Sequence, residues 1–480
     1  MRTNQKLVSN MIYSGLFQLL YLIIPVITIP YVARVFSPAQ LGIYATSYAV
    51  ALFLIRISSF GIPLYGTRAI AQAKSKKEHS QILLNLWLIQ ILATLLIFIS
   101  YSLVIYFFMD KDQIYLIQGL FILTSLFDIS WFFNGIEEIK RTLFRNVIAK
   151  VVTIILIFTF VKTKDDLGLY TFINILGILV GNLSMIAQIK PFVNLKNLKP
   201  IIIKKDVNAS FQLLIPQAVE NGKNMFPRVL VGWLSNYKQA GFLDQGMKIT
   251  TILSGIFSSI VNAMIPRLSY LVANENKKEM DRIISYFTVI VGVLCATIIS
   301  GTLAISQYFV PIFFGPGYDG VILLMNVSIL SIFFSTFSYF FGQGVLLAYG
   351  HDLKYQRAVI ISGVSSILFC ILFIKPFGGM GGAIAYVVGE FVVMALALYH
   401  LRKTIDVLSI TKMLLTIPLM IGANYSVIFL IKNVIDIHNN FLGFLLFGSL
   451  SVIISLTISL LFLKRKGYSI NQLQRFSKKD

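Results

Sequence analysis

The sequence has few charged residues, and acidic residues are the scarcer of the two signs. Asp, Glu, Lys and Arg make up 13% of its 480 residues, about half of the usual quarter in a soluble domain. Hydrophobic residues make up 57%, and the mean hydropathy is +0.80. A water-soluble fold could not bury that much apolar surface, because the buried share rises only slowly with chain length. The composition therefore excludes a soluble enzyme, a disordered scaffold and a nucleic-acid-binding domain, and it predicts a protein that uses the bilayer as solvent.

Cysteine is also scarce, with only Cys295 and Cys370. Both lie in apolar runs, so they indicate small buried hydrophobes rather than a disulfide framework or a metal site. The four histidines are scattered and show no metal-ligand spacing. The segment GFLDQGMK at 241–248 resembles a phosphate-binding loop, but its lysine comes one position late and no strand precedes it. We therefore expect no cofactor, no metal and no ATP hydrolysis.

Long apolar runs dominate what is present. A helix needs roughly 20 apolar residues to cross a bilayer core of about 30 Å. Fourteen runs meet this requirement, which predicts an all-α integral membrane protein with 14 transmembrane helices. Their expected limits are 9–33, 41–63, 81–108, 114–134, 147–161, 168–189, 210–234, 240–265, 283–309, 320–342, 358–374, 380–401, 412–432 and 441–463.

The excess of basic residues has a simple topological explanation. Lys and Arg number 41 against 20 Asp and Glu. If both termini are cytoplasmic, 28 of the 41 fall in inside segments and 7 in outer loops. Such a bias is the positive-inside pattern of membrane proteins. It explains most of the net charge of +21 without a nucleic acid or other anionic partner. No loop is long enough to hold a folded domain, so any site is expected inside the bundle.

The first and seventh runs resemble each other. FQLL at 17–20 is matched by FQLL at 211–214, and AQLG at 39–42 is matched by KQAG at 238–241. Six runs separate the copies, so both have the same orientation across the membrane. This order predicts a parallel duplication, a common transporter design with the site at the repeat interface. The predicted parts are an N-lobe at 1–200, a C-lobe at 201–403, two further helices at 404–465 and a basic tail at 466–480.

Polar residues follow single helical faces in the first, second, seventh and eighth runs. In the second run, Tyr48, Arg56 and Ser59 lie on one side. Polar atoms do not face lipid tails unsatisfied, so these faces either line a shared hydrated cavity or pair with one another. Cations outnumber acids on them, which suggests an anionic ligand, and Arg suits phosphate through bidentate contact. The predicted ligand-contacting residues are Gln18, Arg56, Gln217, Asn221, Lys223, Asn224, Arg228, Lys248 and Asn262.

Acids inside a membrane are candidates for carrying a coupling ion. The candidates are Asp128, Glu220, Asp244 and Glu390. Local pairing is an equally weighted alternative, for example Asp244 with Lys248 one turn later, or Glu220 with Lys223. Lys150 and Lys412 lie near the predicted cytoplasmic ends of their runs, where a lysine reaches the headgroups. We therefore do not expect either lysine to be part of the site.

Several motifs resemble bacterial oligosaccharide repeat-unit flippases of the Wzx type. They are PYVARVF at 30–36 with LGIY at 41–44, GIPLYGTR at 61–68, PRLS at 266–269, PIFFGPGY at 311–318, and GGAIA at 381–385 with Glu390. The resemblance implies the fold of the multidrug/oligosaccharidyl-lipid/polysaccharide exporter superfamily, with two six-helix lobes and two C-terminal helices. It further implies alternating access that moves a polyprenyl-pyrophosphate-linked oligosaccharide from the inner to the outer leaflet of the bacterial plasma membrane. Expected partners are membrane lipid, a coupling proton or sodium ion, and polysaccharide polymerase machinery.

Three alternatives remain open at the sequence level. A flippase for lipid-linked teichoic acid or a peptidoglycan precursor would use the same pyrophosphate chemistry. A cation-coupled drug exporter of the same superfamily would be expected to have an acidic or hydrophobic cavity rather than a basic one. A membrane polysaccharide polymerase would be an enzyme, and it would need a large outer loop or an acidic catalytic motif, so we predict a protein that is not an enzyme.

Overall fold

The computed structural model describes residues 24–108, 112–195, 198–435 and 437–465, and the regular structure in these ranges is helical throughout. The described residues form two compact units, unit 1 within 1–241 and unit 2 within 242–480. The boundary falls near the start of one long helix, Tyr237–Ala273, which is named α10 below. The predicted assignment of six helices to each lobe stays a prediction.

Among the described residues of unit 1, nine helices precede the boundary helix. They are α1 (Ile24–Val35), α2 (Pro38–Ser58), α3 (Ile62–Gln72), α4 (Lys76–Phe108), α5 (Gln113–Leu123), α6 (Ser130–Gly135), α7 (Ile139–Phe160), α8 (Leu167–Ala187) and α9 (Lys204–Leu234), with 3-10 turns at Thr124–Phe127 and Lys164–Asp166. The boundary helix α10 spans Tyr237–Ala273.

Unit 2 continues with seven helices in the part that the structure describes. They are α11 (Lys277–Phe314), α12 (Gly320–Ser328), α13 (Ser331–Tyr339), α14 (Asp352–Phe377), α15 (Gly379–Leu401), α16 (Val407–Val434) and α17 (Asn440–Arg465), with a π-helical segment at Phe340–Leu346 between α13 and α14.

Twelve of the helical segments in the described part of the chain are long and apolar enough to cross a membrane. The short apolar helix α1 and the 31-residue helix α9 bring the number to the predicted fourteen. Helix α9 is outside the twelve because Glu220, Lys223 and Arg228 lie along its middle. The all-α membrane fold predicted from composition and run length is therefore confirmed. Several limits were wrong by six residues or more: α7 begins at Ile139 rather than at 147, and α10 ends at Ala273 rather than at 265. A 3-10 turn also interrupts the fourth run.

Each unit has its own apolar core. In unit 1, Trp131, Phe132 and Phe133 of the short helix α6 are almost fully buried among α3 and α4 residues. In unit 2, Phe287 of α11 stacks on Phe340 with ring centroids 3.7 Å apart, at the centre of the largest core cluster. The last two helices pack on α11, where the ring of Tyr308 stacks on that of Phe447.

The first turns of α2 and α10 cross in close backbone contact. A Cβ atom on Gly42 would lie 1.6 Å from the carbonyl oxygen of Tyr237, and one on Gly241 would lie 1.9 Å from that of Pro38. Only glycine fits at either position. The contact is reciprocal, because each glycine touches the residue four positions before the other. All four residues belong to unit 1, and both glycines lie in the matched segments 39–42 and 238–241.

The same two helices also begin in the same way. The Ser37 hydroxyl accepts a hydrogen bond from the Gln40 backbone N–H at 3.3 Å, and the Asn236 side chain accepts one from the Gln239 N–H at 2.9 Å. Both are N-caps, which satisfy amide groups that a helix start leaves unpaired. Cap, capped residue and glycine keep the same spacing in both copies, as expected for the predicted internal duplication.

Candidate functional site

A polar cavity of about 350 Å³ lies inside unit 1, among helices α2, α4, α5, α6, α7 and α8. It falls within the range of small-molecule sites, about 300–1,000 Å³. Its charged lining residues are three cations and one acid. The polar and charged lining residues are Arg56, Ser59, Gln90, Thr124, Ser125, Asp128, Arg145, Asn146, Lys150, Thr153, Asn174 and Asn182, and aromatic lining comes from Tyr48, Phe121 and Trp131.

The acid Asp128 is positioned by a break in the fourth membrane run. Helix α5 ends at Leu123, tightens into a 3-10 turn and gives way to extended backbone at Asp128. Gln90 of α4 donates to the carbonyl oxygens of Ser125 and Asp128, so the freed backbone groups are satisfied. The Asp128 carboxylate accepts from the backbone N–H of Ser130 at 3.0 Å. The break therefore turns a carboxylate into the cavity at little cost in hydrogen bonds.

Arg145 is the most firmly held cation of the cavity. Its Nε and Nη2 donate to Asn146 Oδ1 at 2.9 and 2.7 Å, and its Nη1 donates to Asn182 Oδ1 at 3.0 Å. Asn182 is fixed in turn, because its Nδ2 donates to the carbonyl of Thr124 at 2.9 Å. Asp128 Oδ1 lies 3.7 Å from Nη1, and the two side chains are 43% and 12% exposed. The neutral amides orient the guanidinium without cancelling its charge.

The other two cations are held less tightly. Arg56 lies in the last turn of α2, is exposed, and lines the cavity with Tyr48 and Ser59. These three were predicted to share one polar face, and the structure brings them together. Lys150 of α7 is also exposed at the cavity. Among the residues that the structure describes, neither Arg56 nor Lys150 has an ion-pair partner, so both charges are available to a ligand.

The sequence prediction missed Arg145 and Lys150. Arg145 was assigned to a cytoplasmic loop and Lys150 to a helix end, because the fifth run was expected to start at 147. The helix starts at Ile139, which places these residues about 9 and 16 Å along it at about 1.5 Å per residue. The amides of Gln90, Asn174 and Asn182 were also missed, although each interrupts an apolar stretch of its run.

The predicted residues of α9 lie on one helix of unit 1, outside the lining of this cavity. Arg228 Nη1 donates to the carbonyl of Asn224 at 3.1 Å, and Asn221 Nδ2 donates to that of Gln217 at 2.7 Å. Lys223 is buried, with 8% exposure, and Glu220 is half-buried. Helix α9 packs on α2 through apolar contacts, including Phe226 against Phe53. Gln18 lies outside the described residues.

The predicted residues of unit 2 have close partners. Lys248 Nζ lies 2.7 Å from the buried carboxylate of Asp244, which is the one-turn pairing named as the alternative. Asn262 Oδ1 accepts from the Tyr339 hydroxyl at 2.8 Å. Glu390, at 5% exposure, lies 3.0 Å from the hydroxyl of Ser338.

Comparisons with known proteins agree with this architecture. A model of the family described as "Polysaccharide biosynthesis protein" matches residues 7–272. The "Putative O-antigen transporter" of Escherichia coli (strain K12) is 24% identical over 418 residues, which cover 84% of this chain and 99% of that protein. A protein of the same name from Shigella dysenteriae is 23% identical over 381 residues, covering 77% and 93%.

A solved structure of a lipid II flippase, MurJ, in an inward closed conformation has the same fold. The TM-score is 0.67 at 16% identity, and the match covers 95% of this chain and 99% of that one. The family model spans more than half of the chain, and the flippase-like motifs from 30–36 to 266–269 lie within it. This chain therefore belongs to the polysaccharide biosynthesis protein family, which confirms its resemblance to the oligosaccharide repeat-unit flippases.

Proposed function

We propose that the protein is a flippase that moves a polyprenyl-pyrophosphate-linked oligosaccharide repeat unit from the inner to the outer leaflet of the bacterial plasma membrane. The single observation that carries this proposal is the net-cationic cavity inside a membrane unit, lined by Arg56, Arg145 and Lys150 with Asp128 as the acid. Charges within a membrane bundle are costly and usually mark a substrate pathway. The names of the two O-antigen transporter relatives support this substrate class.

Different residues of the cavity suit different parts of such a lipid. The pyrophosphate carries the negative charge of such a lipid, and Arg145 offers it a planar guanidinium already oriented by Asn146 and Asn182. Arg56 and Lys150 add charge without a fixed geometry. The side-chain amides and aromatic rings of the cavity lining suit a sugar, while the prenyl chain stays in lipid. The predicted polar residues of α9 and Asn262 of α10 remain proposed contacts, whereas Lys248 is already paired with Asp244. Alternating access remains the proposed mechanism.

Transport against a gradient needs an ion, and Asp128 is the strongest of the four proposed coupling acids. It is the acid that lines the cavity, and its carboxylate approaches Arg145 at 3.7 Å. A pyrophosphate bound at Arg145 would replace Asp128 as the counter-ion, and the displaced carboxylate could then take up a proton or sodium. Both termini are proposed to be cytoplasmic, from the distribution of Lys and Arg.

The decisive experiment is a deletion strain examined leaflet by leaflet. Lipid-linked repeat units should accumulate in the inner leaflet and the surface polymer should be missing, and the intact chain should restore export. Arg145→Ala should fail to restore it at equal protein level, whereas Arg141→Ala, one turn away and outside the cavity lining, should restore it.

The same strain separates the alternatives. Units that reach the outer leaflet but stay unpolymerised would indicate a polymerase. Accumulated peptidoglycan precursor or teichoic acid lipid would reassign the cargo while keeping the flippase. Intact surface polymer with altered drug sensitivity would indicate a drug exporter and overturn the proposal.

A further inference from the structure

Three of the helices that line the cavity continue past it with hydroxyl and amide groups instead of aliphatic side chains. Tyr48 of α2, Phe121 of α5 and Asn174 of α8 line the cavity. One turn toward the N-terminal end of each helix, on the same face, lie Tyr44, Gln118 and Tyr170. We name these three residues the second subsite.

Stacked rings connect the cavity with the second subsite. The ring of Tyr48 stacks on Phe121 at 5.3 Å and on Tyr44 at 5.7 Å, with interplanar angles of 12° and 14°. Tyr44 contacts Tyr170 at 4.9 Å, and Tyr170 contacts Phe36 at 5.5 Å. Tyr48 lines the cavity and stacks on Tyr44, so its ring lies between the cavity and the second subsite.

Gln118 supplies an independent observation. It is 1% exposed, and among the described residues neither its Oε1 nor its Nε2 has a hydrogen-bond partner. Both ends of a buried amide are seldom left unsatisfied, because this lowers stability. Leucine would fill the position without that penalty. This unsatisfied donor and acceptor lie one turn before Phe121, whose ring stacks on Tyr48, and they suit a molecule that brings its own hydroxyl groups.

We propose that the second subsite binds a sugar residue of the lipid-linked oligosaccharide, while the cationic cavity holds its pyrophosphate. This inference rests on the proposed function. The apolar C–H face of a pyranose packs against the tyrosine rings, and its hydroxyls exchange hydrogen bonds with the Gln118 amide. The arrangement gives the protein separate recognition of the sugar and of the anionic group.

The test compares two lipids on the purified full chain in nanodiscs. The probes are undecaprenyl diphosphate and undecaprenyl diphosphate carrying one N-acetylglucosamine, and the readout is the ratio of their Kd values. In the native protein the sugar should tighten binding about tenfold, the worth of one or two hydrogen bonds. Gln118→Leu should bring this gain below about twofold, leave the Kd for undecaprenyl diphosphate unchanged, and raise the melting temperature.

Two further variants complete the test. Gln113→Leu changes an exposed glutamine on another face of the same helix and should keep the full sugar gain. Tyr170→Phe removes only a hydroxyl and should reduce the gain in part. Loss of binding for both lipids in Gln118→Leu, with a lower melting temperature, would indicate a structural role and overturn the second subsite.

Failure of the inference is distinguishable from failure of the proposed function. A native protein that binds undecaprenyl diphosphate without any sugar gain, or a Gln118→Leu variant that retains the gain, would overturn the second subsite alone. A native protein that binds neither lipid would overturn pyrophosphate capture, and the second subsite with it.

Discussion

The cavity of unit 1 and helix α10 of unit 2 hold their intramembrane charges in opposite ways. In unit 1, the cavity of about 350 Å³ has three cations and one acid, and the closest approach between opposite charges is 3.7 Å. In unit 2, Asp244 and Lys248 pair at 2.7 Å on a single helix. A cation that pairs with an acid on its own helix is neutralised before a ligand binds. A cation that is oriented by neutral amides still attracts an anionic ligand. The difference favours unit 1 for anion capture.

The largest expected effect comes from removing an opposite-charge pair in each unit. Asp128→Asn with Arg145→Gln should lower export about 100-fold, because a charge-assisted contact to phosphate worth about 3 kcal/mol is lost. Asp244→Asn with Lys248→Gln should keep export within about threefold, since removing both partners of a buried pair together is often neutral. Surface polymer per molecule of inserted protein is the measurement. Equal losses in both double variants would contradict the contrast.

A second prediction concerns the crossing where the matched segments meet. Gly42→Ala and Gly241→Ala should each lower the stability of the purified protein by about 1–3 kcal/mol, because a methyl group would overlap a backbone carbonyl. Gly422→Ala, where nothing lies within 4 Å, should be neutral or slightly stabilising. The double variant should cost less than the sum, because one helix separation accommodates both methyl groups. Thermal unfolding measures all four proteins, and strict additivity would argue against a shared contact.

The third prediction uses two lysines that look alike in the sequence. Lys150→Ala should lower export about tenfold, the size of one lost charge contact of about 1.4 kcal/mol. Lys412→Ala, exposed on α16 and outside the cavity lining, should lower it less than twofold. Lys150→Arg should recover most of the activity. If the two alanine variants behave alike, Lys150 does not bind the ligand and only places its ammonium group among the lipid headgroups.

The smallest expected effect is an increase in affinity. Asp128→Asn should tighten binding of undecaprenyl diphosphate about threefold, since a half-exposed carboxylate screens its neighbour by less than about 1 kcal/mol. Asp244→Asn should leave this Kd unchanged. Titration of both variants in nanodiscs checks the pair. Weaker binding by Asp128→Asn would show that the carboxylate orients Arg145 rather than competing for it.

The fold could be predicted from the sequence because long apolar runs leave a membrane chain few alternatives to helices. The polar face of Tyr48, Arg56 and Ser59 could be predicted for the same reason, since one helix sets its periodicity. Arg145 and Lys150 could not, because their assignment depended on where α7 starts, and a helix end is set by neighbours as much as by composition. Asp128 could be predicted as an acid within the membrane. The helix break after α5 that turns its side chain into the cavity could not, because it depends on Gln90, which is distant in the sequence.

The polarity of α9 has a consequence for biogenesis. A helix with Glu220, Lys223 and Arg228 in its middle partitions poorly into lipid from the translocon, where each central charge costs about 2.5–3.5 kcal/mol. Only two residues separate α9 from the apolar helix α10, so the pair is suited to enter the bilayer together as a helical hairpin. Insertion of the nascent chain should therefore pause at α9 until α10 has been synthesised.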